Sequence, residues 1–425
     1  MRTVLGILLA LIIGVGAIAA APFVHGPYSG APTESSITIS WLSSQPSAAR
    51  IEYERVDDYA TTGSFSNQLG VALPEDGKLD TLHIALESLS SNTDYVYQVT
   101  LETPEGDVSS PLGYFVTEPP VGASVEFAIL SDSQWQWEGE NRLEPIGEAI
   151  AADDFPFDFI LHAGDIVETP GSQIWNHWFQ SFGDMLLRAP FLPVLGNHES
   201  GNRSYYDNFV HPPGDGKKNE RWWAFHWGDV VVVGLDTDVT KAADYIAQQD
   251  WARLHLSGSE PHKIVVFHYP VYSSDAYHGS GYSLDVIFHP IFVETGVDLV
   301  INGHAHNYER LQSDGITYLV VGGGGAVPRG LADVHVPQSV FAVEGYNFYV
   351  RVIATPEGIA VETVSVAKAA DESFELTDGH LLDAFLLPTH PPAASTETRA
   401  SWLLLLVGLL GAAAAALLLL RGLNR

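Results

Sequence analysis

The chain of 425 residues contains no cysteine. Disulfide bonds and thiolate metal ligands are therefore excluded, and histidine, carboxylate and amide side chains remain as the strong metal-binding groups. The lack of cysteine does not by itself indicate a cellular compartment.

Cationic side chains are also scarce. The chain has 20 Lys and Arg against 52 Asp and Glu, which gives a formal net charge of −32. Because so acidic a chain repels a phosphate-rich polymer at long range, nucleic acid is not expected as a partner. A small anionic substrate would need cations concentrated inside its site, which favours bound metal ions over a basic patch. Solubility explains most of the surface charge equally well.

Two long apolar runs lie near the ends of the sequence. We interpret residues 1–19 as a signal peptide, because Arg2 precedes the run and small residues surround a cleavage position after Ala19. An uncleaved N-terminal anchor is the alternative. Residues 402–420 carry no charge and are long enough to cross a bilayer, which predicts a transmembrane helix over 401–421. A lipid-anchor signal fits less well, because Arg421 and Arg425 follow the run.

The membrane predictions set the expected location. Residues 367–400 have a weak hydrophobic pattern and become proline-rich, so we interpret them as a stalk. The expected protein is extracytoplasmic, facing the cell surface or periplasm, and is held by a single membrane anchor.

The hydrophobic pattern changes once between the two ends. Residues 22–118 alternate short apolar and polar runs separated by turn residues, which predicts an all-β sandwich. An extended linker follows at Thr117–Pro120. Over residues 125–366, short buried strands alternate with amphipathic segments at Leu143–Ala152 and Ala242–Leu256, which predicts a layered α/β domain.

Five predicted strands of the α/β domain end in polar clusters. These clusters are Ser131-Asp132, Gly164-Asp165, Gly196-Asn197-His198-Glu199, His268 and Gly303-His304-Ala305-His306. Open α/β sheets bind ligands at the carboxyl ends of their strands. One such cluster is more often a turn, but five clusters of oxygen and imidazole ligands predict a shared site.

In this order the clusters resemble the motifs of calcineurin-like metallophosphoesterases. The segments His268–Ser273 and Gly303–Arg310 are similar to the purple acid phosphatase branch of that family. The β-rich segment resembles the fibronectin-type-III-like module that precedes the catalytic domain in that branch. The resemblance covers about Pro22 to Val366 and implies a four-layer α/β/β/α catalytic domain.

The resemblance implies phosphomonoester hydrolysis with two divalent ions of iron, manganese or zinc. Asp165 would bridge both ions. The first site would be completed by Asp132 and His306, and the second by Asn197, His268 and His304. His198 would protonate the leaving oxygen or stabilise its charge, so His198 and Asp165 are the expected catalytic residues. The expected substrate is a phosphorylated small molecule or peptide.

Two residues depart from the family pattern. Gln134 stands where many relatives have a histidine ligand, and Glu168 stands where the purple branch has the tyrosine that binds ferric iron. Without the phenolate we expect a colourless enzyme. Gln134 could supply a carbonyl oxygen to a metal ion and Glu168 a carboxylate. Gln134 is the favoured additional candidate ligand, because it shares the loop of Asp132.

Three further residues are expected near the site, and three alternative functions are consistent with the sequence. His162 is interpreted as a packed residue beside the site, and His278 and Arg203 are candidate contacts to substrate phosphate. A phosphodiesterase or nucleotide hydrolase with the same site is an alternative. So are a metal-dependent hydrolase of carboxylic esters or amides and a non-catalytic surface binding protein.

Overall fold

A computed structural model of the chain describes residues 22–389, apart from 46, 74–76, 135–140, 200, 216–219, 240, 281–282 and 371–372. The expected signal peptide (1–19), the end of the expected stalk and the expected transmembrane segment (401–421) lie outside the described residues. Within the described ranges, no helix combines the length and the apolar character needed to cross a membrane.

Two antiparallel sheets form the N-terminal region. The first contains, in spatial order, β1 (Phe23–Gly30), β2 (Ile37–Ser43) and β5 (Leu82–Leu86). The second contains β4 (Asn67–Val71), β3 (Ala48–Arg55), β6 (Asp94–Thr103) and β7 (Gly106–Ser109), with β8 (Gly113–Val116) also paired to β6. A short helix, α1 (Val56–Thr62), follows β3.

A single apolar cluster fills the space between these sheets. Alternate residues of β2 and β6 face inward, as the period of a strand requires, and Trp41, Tyr97 and Ile39 are fully buried. The predicted β-rich N-terminal region is confirmed. Its specific likeness to a fibronectin module stays a prediction.

Two mixed sheets form the body of the α/β domain. The first has the order β11 (Phe191–Pro193), β10 (Phe159–His162), β9 (Val125–Leu130), β20 (Tyr346–Thr355), β21 (Gly358–Ala370) and β22 (Ser373–Leu376), with β23 (Leu381–Pro388) also on β21. The second has the order β12 (Gly214–Asp215), β13 (Trp222–Trp227), β14 (Val230–Gly234), β15 (His262–Val266), β16 (Leu299–Asn302), β18 (Ile316–Val321), β17 (Tyr308–Ser313) and β19 (Ser339–Val343).

The apolar clusters show how these sheets are layered. One cluster joins the inner faces of both sheets, with Phe127 and Phe159 of the first sheet packed near Phe225 and Val232 of the second. A second cluster lies between the first sheet and the helices α2 (Leu143–Ala151) and α3 (Ser172–Leu186). A third lies between the second sheet and the helices α5 (Ala242–Leu256), α6 (Leu284–Ile287) and α7 (His289–Thr295). The order is therefore helix, sheet, sheet, helix.

The predicted helices at Leu143–Ala152 and Ala242–Leu256 are confirmed within one residue at each end. In α2, apolar residues recur at helical spacing and turn one face to a sheet. In α5, the buried face is formed by Gln248, Ala252 and Leu256, while Ile246 and Leu254 are exposed. The structure adds α4 (Arg203–Asn208), which begins at an Asn202 side chain that accepts a hydrogen bond from the Ser204 backbone N–H.

The C-terminal boundary of the catalytic domain differs from the prediction. The predicted domain end at residue 366 and stalk start at 367 are wrong, because β22 and β23 pair with β21 as far as Pro388. Asp383 interrupts the apolar pattern of β23, and the strand was therefore not predicted from the sequence. In the fold, its carboxylate accepts hydrogen bonds from Arg310 Nε at 2.8 Å and the Tyr308 hydroxyl at 2.9 Å.

Candidate metal centre

The six predicted metal ligands all follow strands of the two central sheets. Asp132, Asp165 and Asn197 follow β9, β10 and β11, which are parallel to one another. The three histidines follow β15 and β16 of the second sheet, which are also parallel. Because parallel strands end at a common sheet edge, both sheets deliver polar side chains to one place.

Short distances connect all six residues into one set. The ligand atoms of Asp165, His268 and His304 lie within 4.8 Å of one another. His268 Nε2 is 3.2 Å from Asn197 Oδ1. Asp132 connects these residues to the first half of the centre, since its carboxylate accepts from the His304 backbone N–H at 2.9 Å and lies 3.5 Å from His306 Nε2.

The hydrogen bonds of His268 show which of its nitrogens faces the centre. Its Nδ1 lies 2.9 Å from the carbonyl oxygen of Ala163, which can only accept, so Nδ1 carries the proton. When Nε2 is unprotonated, its lone pair faces Asp165 Oδ2 at 3.0 Å and Asn197 Oδ1 at 3.2 Å. Three electron-pair donors converge on one point, which a cation satisfies.

His306 is oriented in the same way. Its Nδ1 donates to the carbonyl oxygen of Val327 at 2.9 Å, and its Nε2 faces the Asp132 carboxylate. Gln134 Nε2 lies 3.1 Å from His306 Nε2, so the structure brings the additional candidate ligand to this half of the centre. Both halves therefore fit metal ions bound by imidazole, carboxylate and amide groups.

The backbone of the ligand loops is held in unusual conformations. Asp132, Asp165 and His304 have φ angles of 58°, 53° and 69°, a left-handed region that non-glycine residues rarely adopt. Such conformations persist where the surroundings impose them, and they concentrate at functional sites. Gly303 is needed for close approach, since a Cβ there would lie 2.5 Å from Asp132 Oδ2.

A buried carboxylate below the centre holds two ligand loops together. Glu199 accepts hydrogen bonds from the backbone N–H groups of Asp165, Val167 and Gly196 at 2.9–3.1 Å. Burial and the nearby Asp165 carboxylate raise the pKa of Glu199 above its usual range. This role of Glu199 was not predicted, although its place directly after Asn197 and His198 in the chain was a usable signal.

His198 lies at the edge of the ligand set with one nitrogen directed inward. Its Nδ1 donates to the Glu168 carbonyl oxygen at 2.6 Å, and its Nε2 lies 3.7 Å from Asp165 Oδ2. Burial alone would lower the pKa of His198, but the Asp165 charge and the Glu168 carbonyl raise it above the ordinary value. The Glu168 carboxylate lies 3.9 Å from His198 Nδ1, so this departure from the family pattern stands beside His198.

The surroundings shift the pKa values of the ligand side chains in opposite directions. Burial would lower the pKa of His268, but the Asp165 carboxylate raises it to about 10, because it accepts a hydrogen bond from Nε2 when that nitrogen is protonated. A metal ion bound at Nε2 would replace this proton. Burial would raise the pKa of Asp132, but the hydrogen bond from His306 and the charge of His268 hold it well below its usual range. Burial and then the neighbouring histidines lower the pKa of His304. Positive charge is therefore favoured where Asp165 meets His268.

Of the three other candidate residues, two lie at the centre and one lies elsewhere. His162 is fully buried, with Nε2 2.9 Å from Ser133 Oγ, and is packed beneath the centre as expected. The His278 ring lies 3.8 Å from the ring of His304, so the structure brings this residue to the centre. Arg203 is placed elsewhere, on α4, with its side chain 82% exposed and 3.1 Å from Asp207.

Two carboxylates that were not predicted to have a role fix the loops around His278. Glu309 is fully buried and accepts from the Ser274 backbone N–H at 2.7 Å and from its hydroxyl at 2.5 Å. Asp275 accepts from the Asn307 amide at 2.9 Å and from the His278 backbone N–H at 2.6 Å. An acidic residue at an inward position of β17 was the available signal for Glu309.

Comparisons with known proteins agree with this architecture. Residues 125–308 match the family model described as calcineurin-like phosphoesterase. The chain is 24% identical over 354 residues to purple acid phosphatase 1 of Ipomoea batatas, covering 76% of this chain and 70% of the relative. It is 26% identical to purple acid phosphatase 18 of Arabidopsis thaliana, covering 57% of each protein. The match to phosphoenolpyruvate phosphatase of Allium cepa spans 50% of that protein at 24% identity.

Solved structures share the fold over most of the chain. A purple acid phosphatase from yellow lupin (Lupinus luteus) seeds superposes with a TM-score of 0.68 at 19% identity, covering 89% of this chain and 78% of that one. PhoD superposes with a TM-score of 0.68 at 14% identity, covering 91% and 95%. Residues 125–308 of this chain are therefore a calcineurin-like phosphoesterase domain that has purple acid phosphatases among its relatives.

Proposed function

We propose that this chain hydrolyses phosphate monoesters with two divalent metal ions bound at the candidate metal centre. The observation that carries the proposal is the convergence of the His268 Nε2 lone pair with the oxygens of Asp165 and Asn197 at 3.0–3.2 Å. The calcineurin-like family match and the purple acid phosphatase relatives support it.

Each ligand has a defined place in the proposal. Asp165 would be shared by both ions. The first half is supplied by Asp132 and His306, with Gln134 beside them, and the second by Asn197, His268 and His304. Two ions held there would polarise the phosphoryl oxygens and acidify a water molecule for attack on phosphorus. Imidazole, carboxylate and amide donors suit iron, manganese and zinc.

His198 is the proposed proton donor to the leaving oxygen. Its Nδ1 is fixed on the Glu168 carbonyl oxygen, so only Nε2 is available for proton transfer. Its backbone N–H also donates to Asp165 Oδ1 at 2.9 Å, which ties its position to the bridging carboxylate. The residue is half-buried, so it can contact both the centre and an entering substrate.

Phosphatase assays on the purified full chain test the proposal. The protein, supplied in turn with Mn²⁺, Zn²⁺ or Fe²⁺, should hydrolyse 4-nitrophenyl phosphate, and chelation should remove the activity. Asp165→Ala should lose both activity and bound metal, whereas the surface variant Asp107→Asn should retain both. A wild-type protein that binds two ions per chain and yet cleaves no phosphate ester would refute the proposal.

We further propose that the enzyme acts outside the cytoplasmic membrane. Two apolar runs support this location, the one ending at the small residues around Ala19 and the uncharged run 402–420. Protease added to intact cells should remove the catalytic domain, while a cytoplasmic marker survives. Protection of the domain until the cells are lysed would contradict this location.

A further inference from the structure

A cationic side chain stands beside the metal centre. Arg329 follows the glycine run Gly322–Gly325, and its guanidinium donates to Nε2 of His278, whose ring lies 3.8 Å from that of the ligand His304. On its other side the guanidinium carbon lies 4.6 Å from the ring centre of Tyr277. A cation at this distance from an aromatic face is attracted to it, which helps to fix the side chain.

The backbone attaches this arginine rigidly to the first half of the centre. The Arg329 N–H donates to the His306 carbonyl at 2.8 Å, and the Ala326 N–H donates to the Asp132 carbonyl at 2.9 Å. The same short segment accepts the Nδ1 proton of His306 at Val327. Two predicted metal ligands therefore set the position of Arg329.

The loop that carries His278 is attached to the same segment. The Ala276 N–H donates to the Gly330 carbonyl at 3.0 Å, and the Ala332 N–H donates to the Ser274 carbonyl at 2.8 Å. Asp275 fixes the His278 backbone from within its own loop. Arg329, His278 and the ligand His306 thus form one preorganised group, as recognition of a charged ligand requires.

The arginine of this group has no acidic partner. Among the described residues, Arg329 forms no ion pair with a carboxylate, although Asp and Glu outnumber Lys and Arg by 52 to 20 in the chain. The Arg329 guanidinium is half-buried. A half-buried cation is most stable when an anion with several oxygens approaches it, because its fork of N–H groups pairs with two of them.

We propose that Arg329 binds the outward-facing oxygens of the substrate phosphoryl group and selects phosphomonoester dianions over phosphodiester monoanions. The inference rests on the proposed function for its substrate. A terminal phosphate carries about −1.5 to −2 charges at neutral pH. A diester has replaced one of those charged oxygens by a second ester oxygen, so it offers the guanidinium a weaker partner.

The test compares Arg329→Gln and Arg329→Lys in the metal-loaded full chain. Affinity for inorganic phosphate is measured by calorimetry, and kcat/KM is measured on 4-nitrophenyl phosphate and bis(4-nitrophenyl) phosphate. Arg329→Gln should weaken phosphate binding and monoester turnover by roughly 10- to 100-fold, the effect expected for a hydrogen bond between charged groups. Diester turnover should fall much less. Arg329→Lys should lie between wild type and Arg329→Gln, because it keeps the charge without the fork.

Two controls separate this role from others. Arg50→Gln makes the same charge change in β3, where Arg50 pairs with Asp107, and should leave every readout unchanged. The effect of Arg329→Gln should persist in a His278→Ala background, because the arginine is proposed to touch substrate directly. Arg329→Met, whose apolar stem still packs on Tyr277, supplies a second neutral variant if the glutamine variant does not fold.

Four results would overturn the inference. They are unchanged phosphate affinity in the neutral variants, equal losses on monoester and diester, loss of bound metal, or disappearance of the effect when His278 is absent. If the wild type cleaves neither ester, the proposed function fails. The phosphate titration still decides the role of Arg329 in that case.

Discussion

Buried histidines occur in two regions of this protein, and the pKa of His268 in the metal centre is shifted in the opposite direction from the pKa values in the second region. In the metal centre, the fully buried His268 faces Asp165 at 3.0 Å. In the second region, which we call the histidine seam, His25, His83 and His211 lie where the N-terminal sheet meets α3 and α4. His25 stacks on Phe179 of α3 at 4.0 Å, and His83 approaches the backbone carbonyl of Asp207 on α4.

The difference between the regions lies in the neighbouring carboxylates. The Asp165 carboxylate raises the pKa of His268 to about 10 against the effect of burial. In the seam, burial and then the charge of the nearby His83 lower the pKa of His25 and of His211 to about 3. Burial by itself therefore produces neutral, packed imidazoles. A carboxylate at hydrogen-bond distance turns the same side chain into part of a cation site.

The largest effect should come from removing the bridging carboxylate, which would make the metal centre resemble the seam. Asp165→Asn should lose most bound metal and lower kcat/KM by about 10³-fold or more, because bound ions supply several kcal/mol of transition-state stabilisation. Elemental analysis and phosphatase assays check this. Full metal content in the variant would show that the Asp165 carboxylate is not required to bind the metal ions.

The next largest effect concerns His198. This half-buried histidine lies near Asp165 but is not expected to bind metal. His198→Gln should retain two ions per chain, because none of the six ligands is changed. Its kcat should fall by roughly 10²- to 10³-fold through loss of proton transfer. Loss of metal in parallel with activity would instead place His198 among the ligands.

The seam predicts acid sensitivity that the metal centre does not explain. Because the folded pKa of His25 is about 3 and the unfolded value is 6.5, the unfolded chain binds more protons between these limits. The contribution to stability is fully present above pH 6.5 and declines as the pH falls, by about 2 kcal/mol for this residue at pH 5.

Replacing the titrating ring tests this prediction. His25→Phe keeps the stack on Phe179, and His25 Nδ1 has no hydrogen-bond partner among the described residues. The free energy of unfolding of the variant should therefore depend less on pH between 5 and 6.5, measured by denaturant titration. His335→Gln, at an exposed position, is the matched control and should follow the wild type. Equal pH dependence in all three proteins would contradict the assignment.

The smallest predicted effect concerns Gln134, which lies at the half of the centre formed by Asp132 and His306. Gln134→Ala should weaken metal affinity at one site by about 10-fold, the lower end of the range for residues that support metal ligands. Excess metal should restore activity. A metal titration followed by activity shows this, and an unchanged titration curve would assign Gln134 to packing.

Local sequence patterns were sufficient for the strand ends and for two helices. The run from Phe127 to Leu130 and the polar pair Ser131-Asp132 together specify a buried strand and its exit, because hydrophobic period and turn chemistry are properties of neighbouring residues. The same reasoning located Ala242–Leu256. It failed at β23, where the carboxylate of Asp383 is neutralised by Arg310, more than seventy residues away in the chain.

The sequence by itself determined which chemical groups are available, which strand ends carry them, and that cysteine chemistry is excluded. Only the tertiary structure decided that β15 and β16 of one sheet face β9, β10 and β11 of the other. It also directed His268 Nε2 at Asp165 and placed Arg329 beside His278. These outcomes depend on contacts between residues far apart in the chain, whose geometry follows from packing two sheets on one core and is not written in any local pattern.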